Sequence, residues 1–329
     1  MATPGQSSLF SAFSELVTTT YRSHKKEVAD HVTKHNALYR KLIASGQKRL
    51  EDGGLSIVCP LEYQENSTYQ RYSGYDALAI NPVDVVTAAE FPWKQIAIHL
   101  AASGLELRQN SGKNRIINLA KTKLKNAIKS FANGFSADLY SDGSATNQIN
   151  GLQALIADAG TGTVGGINST TWTFWKNKVQ SAASPLQGGA GITPGSTTME
   201  SLMLPLWIAL TRGADTPNLI VMDDTYFAFY EQSQTPYRRY ASDDKEGQGG
   251  FTGMRYKTAE VFFDSGGGIP SAHAYFINTD YLELVVHKDA DQEILDDVRG
   301  YGQDAIVTPI IWMGNLVTNG RQFQGVMKA

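Results

Sequence analysis

SGKNRIINLAKTKLKNAIKSFANGFSADLY, residues 111–140, is the stretch on which the reading of this chain turns. Ile117, Ala120, Leu124, Ala127, Ile128, Phe131 and Phe135 recur at three- and four-residue steps, which puts them on one stripe of a helix. Ser111 suits an N-cap, and Gly143, after Ser141 and Asp142, suits a stop. The spacing predicts a helix from Lys113 to Leu139, on the order of 40 Å long at about 1.5 Å per residue. That length fits a spine on which other elements lie. Opposite the stripe come Lys121, Lys125 and Lys129, and no carboxylate falls between Glu106 and Asp138. This basic face is either solvated or turned toward a polyanion.

The totals place the spine in its setting. A chain of 329 residues makes one large domain or two moderate ones, with apolar content sufficient for a core. Its net charge of -3 is unevenly spread. Residues 1–137 hold 17 Lys and Arg against 11 Asp and Glu, whereas the remainder holds 12 against 21. Such asymmetry suits one part facing a polyanion, or basic and acidic surfaces meeting between copies. Cys59 is the only cysteine, so no intrachain disulfide forms, in keeping with a reducing compartment. The start of the sequence has no charged-then-apolar signal pattern. Its most apolar short run, Leu202–Leu210, is far shorter than a membrane span. A soluble protein made in the cytoplasm is expected.

Working outward, residues 7–50 read as an amphipathic helix or two ending at Gly53-Gly54. Leu9, Phe10, Phe13, Leu16 and Val17 make one apolar face, and Val28, Val32, Leu38, Leu42 and Ile43 a second. This is an arm that needs something to lie on. His31 and His35 have the i, i+4 spacing of helical zinc ligands, but without a third ligand nearby they read as a solvated pair. Ser56–Tyr63 and Asp84–His99 are strand-like runs flanking a polar, tyrosine-rich insertion, and so predict a long hairpin or extended loop. Tyr63, Tyr69, Tyr72 and Tyr75 are large amphipathic rings at a density typical of contact surfaces.

Beyond the spine, Gly160, Gly162, Gly165 and Gly166 outline GxGxxG, but no Lys-Ser or Lys-Thr follows. They read as turns before Trp172, Phe174 and Trp175, which would anchor the loop. A helix is expected over 197–213, a buried strand over Asn218–Met222 and a helix from Asp224 to about Gln232. The polar stretch Tyr237–Gly250, with Arg238, Arg239, Asp243 and Asp244, reads as a projecting loop. Strands follow over 251–264 and 272–288. The acidic run Asp289–Asp297 lacks EF-hand spacing; it reads as a divalent cation site or as an acidic surface for a basic neighbour. Ala305–Leu316 and Arg321–Met327 predict two strands joined in a hairpin at Asn319-Gly320.

No catalytic constellation emerges. GxSxG and HExxH do not occur. Asp223 and Asp224 follow a strand, where an acid can be catalytic, but the helix that starts there favours a cap. No metal or cofactor is expected.

The order of parts resembles the major capsid proteins of tailed bacteriophages, an α+β class with the Hong Kong 97 (HK97) capsid fold. The residues that carry it are STYQRYSGYD (67–76), AAEFPWKQ (88–95), NSGKNRI (110–116), LYSDGS (139–144) and INGLQALIADAGTGTVGGI (149–167). TPIIWMGNLV (308–317) and RQFQGVM (321–327) close the pattern. The resemblance implies an N-terminal arm over 1–52 and an extended loop over 53–95 that reaches a neighbouring subunit. It implies a peripheral domain over 96–145 and 296–329 with the spine helix, and an axial domain over 146–295.

The implied function is that of a non-enzymatic subunit which self-assembles, as hexamers and pentamers, into an icosahedral head around double-stranded DNA. Tyr63, Tyr69, Arg71, Tyr72 and Tyr75 would make intersubunit contact. Lys121, Lys125 and Lys129 would face DNA or a neighbour, and Arg238, Arg239, Asp243 and Asp244 would lie in axial or outer loops. A separate scaffolding protein, a portal and a decoration protein are the implied partners, with no membrane. The virion is the implied location, after assembly in the host bacterial cytoplasm. Shell cross-linking through an extended-loop lysine is not expected, since no lysine lies between Glu51 and Trp93. The rivals are an encapsulin-like compartment, built on the same fold around an enzyme cargo, and a monomeric α+β hydrolase using Asp223 or Asp224.

Overall fold

The computed structural model describes residues 37–78, 81, 83–109, 119–238, 254–264, 268–296, 298–299 and 304–329. The Ser111 cap, the His31/His35 pair and the apolar positions of the arm before residue 37 lie outside them. The first elements are α1 (Ala37–Ala44), β1 (Lys48–Glu51), β2 (Ile57–Glu62), β3 (Val86–Phe91), β4 (Lys94–Ser103), α2 (Gly104–Gln109) and α3 (Leu119–Leu139). After the spine helix come α4 (Leu152–Leu155), β5 (Thr163–Val164), β6 (Ile167–Asn168), β7 (Lys178–Ser181), α5 (Met199–Leu210), β8 (Leu219–Met222) and α6 (Asp224–Arg238). The last are β9 (Met254–Tyr256), β10 (Ala259–Phe263), β11 (His273–Ile277), β12 (Leu282–Ile294), β13 (Val298–Arg299), β14 (Ala305–Thr318) and β15 (Gly325–Lys328). The chain divides into two compact units: 96–134 with 292–311 in the smaller, and 35–95, 135–291 and 312–329 in the larger.

The larger unit is built on a six-stranded mixed sheet in the order β7-β15-β11-β8-β10-β9. Strand β8 reads LIVM and is buried at every position, as a strand covered on both faces requires. Alternation sorts its sides. Ile220 and Met222, paired with Phe276 and Ala274 of β11, join α5 and α6 in one core with Met203, Leu206, Trp207, Tyr226 and Tyr230. Each fully buried Leu or Phe there contributes roughly 1.5–3 kcal/mol. Gly325 sets how closely β15 packs on α5, because a Cβ at that position would meet Leu210 Cδ1 at 2.7 Å and Leu206 Cδ1 at 2.9 Å.

Two expectations at the ends of the chain are corrected. The helix predicted to continue to residue 50 ends at Ala44, where the amides of Ser45, Gly46 and Gln47 bond back to Lys41, Ile43 and Leu42. Gly46 takes the left-handed conformation that closes helices, at φ 72°. Residues 48–51 then form β1, parallel to β12 from Lys48↔Leu284 to Glu51↔His287. Leu38 and Leu42, one turn apart, are fully buried in the larger unit. Asn319-Gly320 makes no hairpin: β15 pairs with β7 and β11, not with β14. Instead a 3-10 turn, Arg321–Phe323, passes the chain to a different sheet, with Phe323 stacked on Tyr281 at 4.3 Å between ring centroids.

The spine helix is present, described from Leu119. Its buried row is Ala127, Phe131, Phe135 and Leu139, at strict four-residue steps, whereas Ile128 is 49 % exposed and off the stripe assigned to it. In the larger unit Phe135 packs edge-on against Trp312 at 4.9 Å and Tyr39 at 5.1 Å. In the smaller unit β13 pairs antiparallel with β14, Val298 opposite Val307. The residues of β4 there alternate, with Ile96, Ile98 and Leu100 half-buried and Ala97, His99 and Ala101 exposed. The acidic run begins inside β12, and Asp291 is paired with Lys48.

Candidate intersubunit surface

The predicted hairpin exists. Strands β2 and β3 pair antiparallel from Ile57↔Phe91 to Glu62↔Val86, burying Ile57, Cys59 and Leu61 with Ala89 and Phe91. Burial raises the Cys59 thiol above its usual range, so it packs as a small apolar group. Between the strands the described residues form no helix or strand. Local bonds hold it instead. Asn66 Oδ1 accepts from the amide and hydroxyl of Thr68, Asp76 Oδ2 accepts from the Ser73 amide at 2.8 Å, and Gln70 Nε2 donates to Ala77 O. Gly74, at φ 53°, makes the bend. This tip leaves Tyr69 82 % exposed, Tyr72 66 % exposed and Tyr75 fully exposed, with Arg71 exposed among them.

Tyr63 behaves differently. It sits at the base of the hairpin against Trp172 and Phe174, at centroid distances of 5.6 and 5.8 Å, so it is a partner within its own chain. The glycine-rich stretch is the turn that was expected. Gly165 and Gly166, with φ 58° and 76°, join β5 to β6 as a two-residue hairpin. Gly165 O accepts the Glu90 amide at 3.0 Å, and a Cβ on Gly165 would lie 2.8 Å from Ala89 Cβ. The hairpin β5–β6 therefore rests on the edge of β3. Trp175 anchors the same region, buried, with Nε1 donating to Val164 O at 3.0 Å.

Sequence reasoning missed Arg321. The side chain is fully buried; Nε donates to Leu155 O at 2.7 Å and Nη1 to Trp175 O at 3.3 Å, with Thr161 O and Gly162 O at 3.5 Å. Burial lowers its pKa to about 10, which leaves it a cation at neutral pH. One guanidinium thus ties the C-terminal turn to the loop carrying the tryptophans. Its acceptors are backbone carbonyls about 150 positions away, which no side-chain pattern reveals.

Asp223 is a cap. One carboxylate oxygen accepts the Tyr226 amide at 2.9 Å and the other the Ala272 amide at 2.7 Å, while Asp224 is exposed. Of the three spine lysines only the Lys129 side chain is described, half-buried and engaged. The side chains of Lys121, Lys125 and Arg238, and all of Arg239, Asp243 and Asp244, lie outside the described residues. Among the described residues no group of three metal-ligating side chains assembles, and no helix is long and apolar enough to cross a membrane.

No protein-family model and no curated protein matches this chain. Solved structures do. The capsid subunit of cyanophage A-1(L) superposes with a TM-score of 0.62 at 17 % identity, over 86 % of this chain and 90 % of that one. The capsid of Myoviridae phage XM1 gives 0.57 at 9 % identity, over 94 % and 97 %. An encapsulin complex from Synechococcus elongatus gives 0.53 at 8 % identity, over 94 % and 93 %. The chain has the HK97-like fold of tailed-phage capsid proteins, an α+β fold that encapsulins share.

Proposed function

We propose that this chain is the major capsid protein of a tailed bacteriophage, copies of which close into an icosahedral shell around double-stranded DNA. The observation that carries the reading is a capsid fold extending over nearly the whole chain. The cyanophage A-1(L) capsid has both a higher TM-score and a higher identity to this chain than the encapsulin, 0.62 and 17 % against 0.53 and 8 %, which favours the phage reading. The hairpin tip supports it independently, since three tyrosines and an arginine held out in water match the residue types that dominate protein interfaces. Residues 1–52 act as the arm, 53–95 as the extended loop, 96–145 with 296–329 as the peripheral domain, and 146–295 as the axial domain. Assembly proceeds in the host cytoplasm with a separate scaffolding protein, and a portal and a decoration protein complete the head. The subunit performs no catalysis.

The deciding experiment is electron microscopy of expressed protein, with nuclease treatment of particles recovered from the host. Closed particles protecting DNA are expected. Particles enclosing an enzyme would move the assignment to an encapsulin-like compartment, and a lasting monomer would overturn both. The spine lysines act on the DNA, easing packaging through sequence-independent phosphate contact. Replacing Lys121, Lys125 and Lys129 by Gln should leave shells forming but reduce the DNA they hold; unchanged packaging would refute that role.

A further inference from the structure

The base of the hairpin carries an open cavity of about 630 Å³ along the outer edge of β3. Tyr63, Trp172 and Phe174 line it, and their ring centroids are mutually 5.6, 5.8 and 6.3 Å apart. Trp172 is 48 % exposed, so about half of its indole remains open to a further partner. Asp84 and Glu90 line the same cavity, and among the described residues no lysine or arginine does. Aromatic faces beside carboxylates form an environment that takes a cation: the ring quadrupoles attract positive charge, and the carboxylates add directed acceptors.

The same chain displays a matching group. Arg71 is exposed at the hairpin tip, makes no hydrogen bond or ion pair among the described residues, and is not part of the cavity lining. A planar guanidinium stacks on indole and accepts bidentate carboxylate pairing, which an ammonium does less well. The cavity is in the size range of small-molecule clefts and leaves room for a flanking tyrosine. We propose that the cavity is a guanidinium socket, and that its occupant is Arg71 from the hairpin tip of a second copy of this chain. Socket and tip lie at different places on one chain, so the contact is head-to-tail, the kind that closes rings of identical subunits. This rests on the shell reading and adds the receptor to which the tip docks.

Charge reversal tests the contact. Arg71→Glu and Glu90→Arg both alter exposed positions, so neither should change the melting temperature of the unassembled subunit. Each single variant should raise the protein concentration needed for half-assembly, followed by light scattering and electron microscopy, on the order of tenfold. The double variant, with the charges exchanged, should return to within about threefold of the wild type, as a direct pair requires. Trp172→Ala should weaken assembly comparably and Trp172→Phe much less. Singles that assemble like the wild type, or a double variant as impaired as the singles combined, would overturn the socket while leaving the shell reading intact. A wild-type chain that forms no particles, alone or with a scaffolding protein, would remove the shell reading and the socket with it.

Discussion

Replacing Arg321 tests how the larger unit is held together. Methionine keeps much of the length of the side chain and removes every donor. A hydrogen bond from a charged donor contributes about 1.5–3 kcal/mol, so the bonds to Leu155 O and Trp175 O together account for about 3–6 kcal/mol. Removing the cation also removes the cost of burying it. The fall in pKa from 12.5 to about 10 puts that cost at about 3 kcal/mol. Arg321→Met should therefore lose no more than about 3 kcal/mol. Arg321→Lys should lose at least as much, because the charge stays buried while one ammonium replaces a fork that spans two segments. Urea denaturation at pH 7 measures both, and hydrogen exchange over residues 155–175 shows where the loss falls. If the lysine variant were as stable as the wild type, or if both changes left that loop as protected as before, the clamp would not exist.

Asp223→Ala should cost about 2–3 kcal/mol in thermal melting, since it removes both a helix cap and the acceptor for the Ala272 amide, and Asp223→Asn should cost less. Leu42→Ala should destabilise by about 2–5 kcal/mol and Ile43→Ala by less than about 0.5 kcal/mol, because only the first is fully buried. Burial, reinforced by Asp223, pushes the Tyr226 phenol up to about 12 from 10.0. The folded state then holds its proton longer than the unfolded state, so this contribution is complete below pH 10 and is lost between pH 10 and 12. The Tyr226 hydroxyl has no hydrogen-bond partner among the described residues, so Tyr226→Phe should be nearly as stable at pH 7. In alkaline denaturation that variant should lose about 2–3 kcal/mol less across the same interval.

Periodicity and turn chemistry made much of this fold legible. The spine helix, the β2–β3 hairpin, the all-apolar β8 and the double-glycine turn each follow from local rules that tertiary packing had no reason to override. Where sequence reasoning failed, the deciding contact was distant. Residues 48–51 look like the end of a helix, but the edge of β12 offers them parallel pairing more than 230 positions away. Asn319-Gly320 has hairpin chemistry, yet β7 and β11 take β15 first. The tyrosine cluster also divides in a way its sequence does not show: Tyr63 looks like its three neighbours, and only its packing against Trp172 and Phe174 sets it apart from the rings held out in water.

The division of those tyrosines shows how a marginal loop would serve the proposed assembly. A connection of 23 residues between two strands would ordinarily give up much of its binding free energy in becoming ordered. Here Asn66, Gln70 and Asp76 hold the bends from within, and Tyr63 fixes the base by packing against Trp172 and Phe174. The exposed rings of Tyr69, Tyr72 and Tyr75 therefore start from a restricted set of positions, and two-torsion tyrosines lose little more on docking. An isolated subunit gains nothing from holding three aromatic rings ordered in water. The arrangement lowers free energy only when a surface arrives to cover them, and in the proposed shell many copies of one chain would supply that surface at high local concentration.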